Sequence, residues 1–135
     1  MRHLAREKAF QVIYQLDLGD NTLDFALENI LEEAELDEEA VSFCRRLAAG
    51  VMANRAAIDN VITEHTTRNW KIERMPSVDR NILRLAVYEI LYCEDVPDKV
   101  AIDEAIEFAK IYSDDKSPKF INSVLDKVLK SKQAE

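Results

Sequence analysis

Glycine and proline are scarce, with two and three copies among 135 residues. A chain so poor in turn formers does not suit a many-stranded β architecture, so long helices with few breakers are expected. Long apolar runs are also lacking, and none approaches the roughly 20 residues of a membrane span. The start, Met1-Arg2-His3-Leu4-Ala5-Arg6, is not followed by the continuous apolar stretch of a signal peptide. A cytoplasmic protein without membrane contact is expected. Cys44 and Cys93 stand apart with no CxxC spacing, which suits free, buried thiols. His3 and His65 form no metal-binding pattern, and two glycines cannot build a GxGxxG or phosphate-cradling loop. Acidic pairs are common but lie on polar helix sides, where solvation accounts for them. No catalytic residue, metal or cofactor is expected, and the chain reads as a non-enzyme.

Positive charge is in short supply as well: 18 Lys and Arg stand against 26 Asp and Glu, a net charge of -8. Such a surface repels a phosphate backbone in general. The charge is uneven, however. From Asp17 to Glu39 there are ten acidic residues and no Lys or Arg. The N-terminus carries Arg2, Arg6 and Lys8 against Glu7, and Lys116, Lys119, Lys127, Lys130 and Lys132 face only Asp126. Salt screens charges beyond about 8–10 Å, so local sign decides what a small anionic ligand meets.

What the chain has in quantity is apolar residues at helical spacing. Ala5, Ala9, Val12, Ile13 and Leu16 predict a helix over 2–18 that stops at Gly19. Asn21 or Thr22 caps a second helix with Leu23, Leu27, Ile30, Leu31 and Ala34 on its apolar side. Asp37 caps a long third helix, in which Val41, Cys44, Ala48, Val51, Ile58 and Ile62 keep period to about His65. Residues 66–76 read as an irregular connection pinned to the core by Trp70 and Ile72. Ser77 is expected to cap a helix with alternating buried and wet faces, which Pro97 ends. Ala101 to Tyr112 is helical, with Ile102, Ala105, Ile106 and Ala109 on one side. Ser117, as hydroxyl cap, and Pro118 then start the last helix, which frays after Lys130. The expected fold is all-α, with six to seven helices in one compact domain over 1–135, its halves meeting near residues 66–67.

Two clusters point to a ligand. Arg6, Phe10 and Tyr14 are spaced by four and form a ridge extended by Arg2 and His3. Arginine neutralises phosphate and aromatic faces stack on unpaired bases, which suits single-stranded RNA. Phe10 and Tyr14 can equally widen the core face. Lys116, Ser117, Lys119 and Phe120 repeat the pattern at a helix start, where unpaired N–H groups welcome anionic oxygen. Phe120 is open to the same core reading.

The run from Val78 to Glu89, then Asp95-Val96-Pro97, then Val100 to Glu107, resembles the NusB family. So do Ser117-Pro118-Lys119-Phe120-Ile121-Asn122-Ser123-Val124-Leu125-Asp126-Lys127 and, in the first helix, Ala5-Arg6-Glu7 and Tyr14-Gln15. The resemblance spans essentially the whole chain. It implies two packed three-helix bundles and an antitermination factor that binds boxA RNA together with NusE, a small ribosomal subunit protein. That pair would help load a complex on RNA polymerase, notably during ribosomal RNA synthesis. By position the resemblance assigns RNA contact to Arg2, His3, Arg6, Tyr14, Lys116, Lys119 and Phe120, and the NusE surface to Glu73, Asp79 and Arg84. His3 and Leu4 stand where some members carry arginines, Lys116 where a relative has an acid, and Ser123 where glycine is common. The expected RNA surface joins the first helix to the start of the last. The alternatives are a protein–protein scaffold docking through residues 17–39, a self-associating form (a possible homodimer) that hides the RNA surface, or a targeting domain of an RNA-modifying enzyme.

Overall fold

The computed structural model describes residues 1–67 and 70–135. Among these residues the secondary structure is helical, with seven α-helices and one short 3-10 turn at Ile72–Arg74. The chain divides into two compact units, Met1–Ala53 and Asn54–Glu135.

The first unit is a three-helix bundle of α1 (Arg2–Leu18), α2 (Leu23–Glu33) and α3 (Glu38–Ala53). Local chemistry sets its ends. Gly19 follows α1, its N–H donating to the Gln15 carbonyl. The Thr22 hydroxyl accepts from the Phe25 N–H at 3.2 Å, and Asp37 Oδ1 accepts from the Ala40 N–H at 2.9 Å. Each contact satisfies a first-turn donor that has no partner within its helix. Ala5 and Ala9 on α1, and Ala40, Cys44 and Ala48 on α3, are all buried. Small side chains on both stripes let two helix backbones approach closely, and α1 packs chiefly on α3.

Burial pushes the Cys44 thiol up to about 11 against the opposing pull of Arg45 and Lys8. Both cysteines are free and buried. At pH 8 the Cys44 thiol therefore stays protonated and shielded, and the thiolate is the reactive form. A chromogenic disulfide reagent should leave the native protein unlabelled and modify both cysteines once denaturant is added. Rapid labelling of Cys44 in the native protein would contradict this packing.

The second unit holds α4 (Arg55–Glu64), α5 (Ser77–Tyr92), α6 (Asp98–Tyr112) and α7 (Ser117–Gln133). The long third helix expected to reach His65 is in fact two helices. Asn54, at φ -113° and ψ 16°, breaks it, and α4 starts anew with the Ile58 N–H on the Asn54 carbonyl. The apolar period runs through the break in phase, so it gives no sign of one residue leaving helical geometry. The two compact units divide here.

Helix α5 differs most from its expected form. It is not half wet, because every residue from Asn81 to Ile90 is buried. It packs against α4, α6 and α7 together, and a helix enclosed on all sides must bury its polar residues too. Ser77 is its first residue rather than its cap, with Pro76 supplying the extended residue before it. Trp70 and Ile72 do not pin the connection: Trp70 is exposed and Ile72 half-buried, while Met75 enters the core. The Arg68-Asn69 part of that connection lies outside the described residues.

Helix α6 begins at Asp98, directly after Pro97, rather than at Ala101. Its buried side is Ala101, Ala105, Phe108 and Ala109, with Ile102 and Ile106 only half-buried. The end of α7 is not frayed after Lys130. Lys132 Nζ donates to the Ile90 carbonyl at 2.7 Å and to Asp98 Oδ1 at 2.9 Å, tying the last turn to the end of α5 and the start of α6.

Candidate nucleic-acid interface

In the first unit, three guanidinium groups gather around one buried ring. The Cζ atoms of Arg2, Arg6 and Arg46 lie 4.2, 5.2 and 5.1 Å from the centre of Phe43. Contacts of this kind are worth about 0.5–2 kcal/mol each, more when desolvated, and they hold three positive charges together in an acidic chain. Arg2 is half-buried, while His3 and Arg46 are exposed.

Arg6 is only 3% exposed, and Phe10 is buried beside Tyr14 with ring centres 5.9 Å apart. The ridge inferred from their spacing therefore does not stand free. Its line exists, but α2 and α3 both cover α1 and widen the buried arc past Arg6 and Phe10. Tyr14, half-buried, is its most accessible ring. Arg46 was missed because nothing local says that α3 brings Phe43 under α1.

In the second unit, the start of α7 carries exposed Lys116 and Lys119, with Phe120 half-buried. Ser117 does not serve as a hydroxyl cap facing solvent. It is buried, its hydroxyl donates to Asp79 Oδ2 at 2.9 Å, and the Ser113 hydroxyl donates to Asp79 Oδ1. Capping falls to Asp114, whose Oδ1 accepts the N–H groups of Lys116 at 2.9 Å and Ser117 at 3.1 Å. The Lys116 N–H and the Ser117 hydroxyl, then the Ser117 N–H and the Lys116 charge, hold the Asp114 carboxyl below its ordinary range against an opposing desolvation. Phe120 meets Trp70 edge to face at 5.7 Å and 65°. Trp70, expected in the core, is exposed, which follows from tertiary packing alone.

The residues assigned to a partner surface fare unequally. Glu73 is exposed on the 3-10 turn and lines an open groove of about 410 Å³ with Ala56, Asp59, Asn60, Thr63, Lys71 and Ile72. Asp79 and Arg84 are interior and offer no surface to a partner. The Arg84 guanidinium forks onto Asp59, Nε to Oδ1 at 2.8 Å and Nη2 to Oδ2 at 3.0 Å, while Nη1 reaches Asn81 Oδ1 at 3.0 Å. No buried side-chain nitrogen or oxygen among the described residues lacks a partner. Nor do any three His, Cys, Asp or Glu side chains there gather as metal ligands. No helix among them is long and apolar enough to cross a membrane.

Fold and site together define a class: all-helical proteins of two compact units that present small basic–aromatic clusters. Comparison with known proteins narrows the class. The NusB family matches residues 3–130. The transcription antitermination protein NusB of Listeria monocytogenes serotype 4a (strain HCC23) is 50% identical over 124 residues, 92% of each chain. The solved structure of T. maritima NusB superimposes with a TM-score of 0.90 at 40% identity, covering 96% of this chain and 91% of that one. A solved structure of antitermination factors NusB and NusE in complex with dsRNA gives a TM-score of 0.88 at 28% identity, covering 96% of both chains. The chain belongs to the NusB family of transcription antitermination proteins.

Proposed function

We propose that this protein binds boxA RNA together with NusE and helps assemble an antitermination complex on RNA polymerase during ribosomal RNA transcription in the cytoplasm. It acts by binding alone and catalyses no reaction. The observation that carries this reading is the start of α7. Two exposed lysines and an aromatic pair sit there on a backbone held by Asp114 and Asp79. The similar NusB that is seen with NusE and dsRNA supports the choice of partners.

Arg2, His3 and Tyr14 on α1, and Lys116, Lys119 and Phe120 on α7, contact the RNA. Arg6 and Ser117 act from beneath the surface, Arg6 by holding the Phe43 ring and Ser117 by fixing the first turn of α7. Glu73 and its groove receive NusE, with Arg84 and Asp79 acting only through the residues they hold.

Anisotropy of a labelled single-stranded boxA RNA, with and without NusE, tests this reading. NusE should raise the affinity, because two partial sites on joined proteins act together. Log affinity should fall with log salt at about -0.7 per phosphate contact, and Lys119→Ala should remove roughly one such contact. Equal affinity for a scrambled strand in both cases, or a flat salt response, would sink the mechanism. Preference for the same strand annealed to its complement would move recognition from bases to duplex shape.

A further inference from the structure

We infer that Trp70 is a base-stacking residue of the α7 site, taking an unpaired base of single-stranded RNA on its indole while Phe120 braces it. The inference rests on the RNA reading above and adds a residue which that reading does not assign.

Trp70 is 41% exposed although its side chain carries the largest apolar ring system in the protein. Its aromatic partner is Phe120, edge to face at 65°, an arrangement that occupies at most one face of the indole. A rigid aromatic kept in water beside a second ring is a ready stacking surface. Base–aromatic stacking tolerates any base, because every base has a π-face.

The surroundings favour nucleic acid over protein. Lys71, next in the chain, is exposed, as are Lys116 and Lys119. Lys116 lies one helical turn before Phe120, whose N–H donates to the Lys116 carbonyl at 3.3 Å. Exposed cations therefore adjoin both members of the aromatic pair along the chain, Lys71 beside Trp70 and Lys119 beside Phe120, and can neutralise the phosphates next to a stacked base. Asp115 is exposed in the same loop, so the basic surface is short, fitting a few nucleotides of one strand better than the long phosphate track of a duplex.

Because the chain has one tryptophan, its emission reports on this site directly. Adding single-stranded boxA RNA to the wild-type protein should quench the indole, with the same midpoint as anisotropy of the labelled strand. By anisotropy, Trp70→Leu should weaken binding roughly 5- to 150-fold, the range for one lost stack. Trp70→Phe, which keeps a ring, should recover most of the loss. Unchanged emission while the labelled RNA binds would overturn the inference and leave the RNA reading standing. Wild-type protein that binds no RNA would overturn both. Quenching by NusE alone, with no further change on adding RNA, would make Trp70 a protein contact and also overturn it. If Trp70→Leu unfolds, protection of wild-type Trp70 from acrylamide by bound RNA decides in its place.

Discussion

Asp59→Ala should destabilise the second unit by about 1–3 kcal/mol, the range for leaving a buried donor without its charged acceptor when that acceptor is itself only part-buried. The Arg84 side chain is 4% exposed and the Asp59 side chain 18%. Without the carboxylate, two of the Arg84 N–H groups lose the oxygens of the fork. Arg55 at 3.9 Å makes a longer and more exposed contact with Asp59 that adds little.

Replacing both partners, as in Asp59→Leu with Arg84→Met, should cost less than the single change, because no charge is then left stranded and the remaining loss is the bond from Arg84 Nη1 to Asn81 Oδ1. Urea unfolding followed by tryptophan emission and circular dichroism measures both variants. A loss below about 1 kcal/mol for Asp59→Ala would show that water reaches Arg84, contrary to the packing described. Asp59 also lines the groove with Glu73. Glu73→Ala, on an exposed turn, should weaken a partner held in that groove without changing stability. Arg84→Ala should weaken the partner only together with stability.

The second large effect is expected at Asp79. Its two carboxylate oxygens accept from Ser113 and Ser117, joining α5 to the α6–α7 turn. Asp79→Ala leaves two hydroxyls facing a gap, Ser117 Oγ in the interior and Ser113 at its edge, 2.7 Å apart. The two hydroxyls keep each other, and Ser117 keeps Asp114 Oδ1 at 3.2 Å, so the loss is that of the two bonds to the carboxylate, roughly 1–3 kcal/mol. Asp79→Asn keeps one acceptor oxygen and the shape, so it should cost clearly less.

The consequence should be local as well as global. The first turn of α7 rests on Ser117, so in Asp79→Ala the amides from Ser117 to Ile121 should exchange with deuterium faster than the rest of α7. RNA affinity should fall with them although Asp79 touches no RNA. Unchanged exchange in that turn would remove Asp79 from the support of the site.

Several features of the fold were legible because their causes are local. Thr22 and Asp37 each reach a backbone N–H three residues ahead, so side chain and target are written side by side. Pro97 opens α6 through its own fixed φ, although α5 has already ended at Tyr92. Lys116 and Lys119, which the basic run near the C-terminus singles out, are exposed. The break at Asn54 was hidden for the same reason in reverse. Val51, Ile58 and Ile62 stay in register across it and are all buried.

The polar interior was beyond reach. Arg6, Asp79, Arg84 and Ser117 look like surface residues, since burying a charge or hydroxyl costs several kcal/mol unless a partner is supplied. For Arg84 and Ser117 those partners come from 25 and 38 positions away. Trp70 is the opposite case, an apolar ring left in water because Met75, not Trp70, fills the core at that turn.

The sequence by itself determined an all-helical chain, the positions of most helix ends, free cysteines, and basic groups kept near the two ends of an acidic protein. These follow from spacing, caps and composition, which act within a few residues. Only the tertiary structure decided which of the basic and aromatic side chains face water. That depends on how many neighbouring helices cover each one, and no local pattern encodes it.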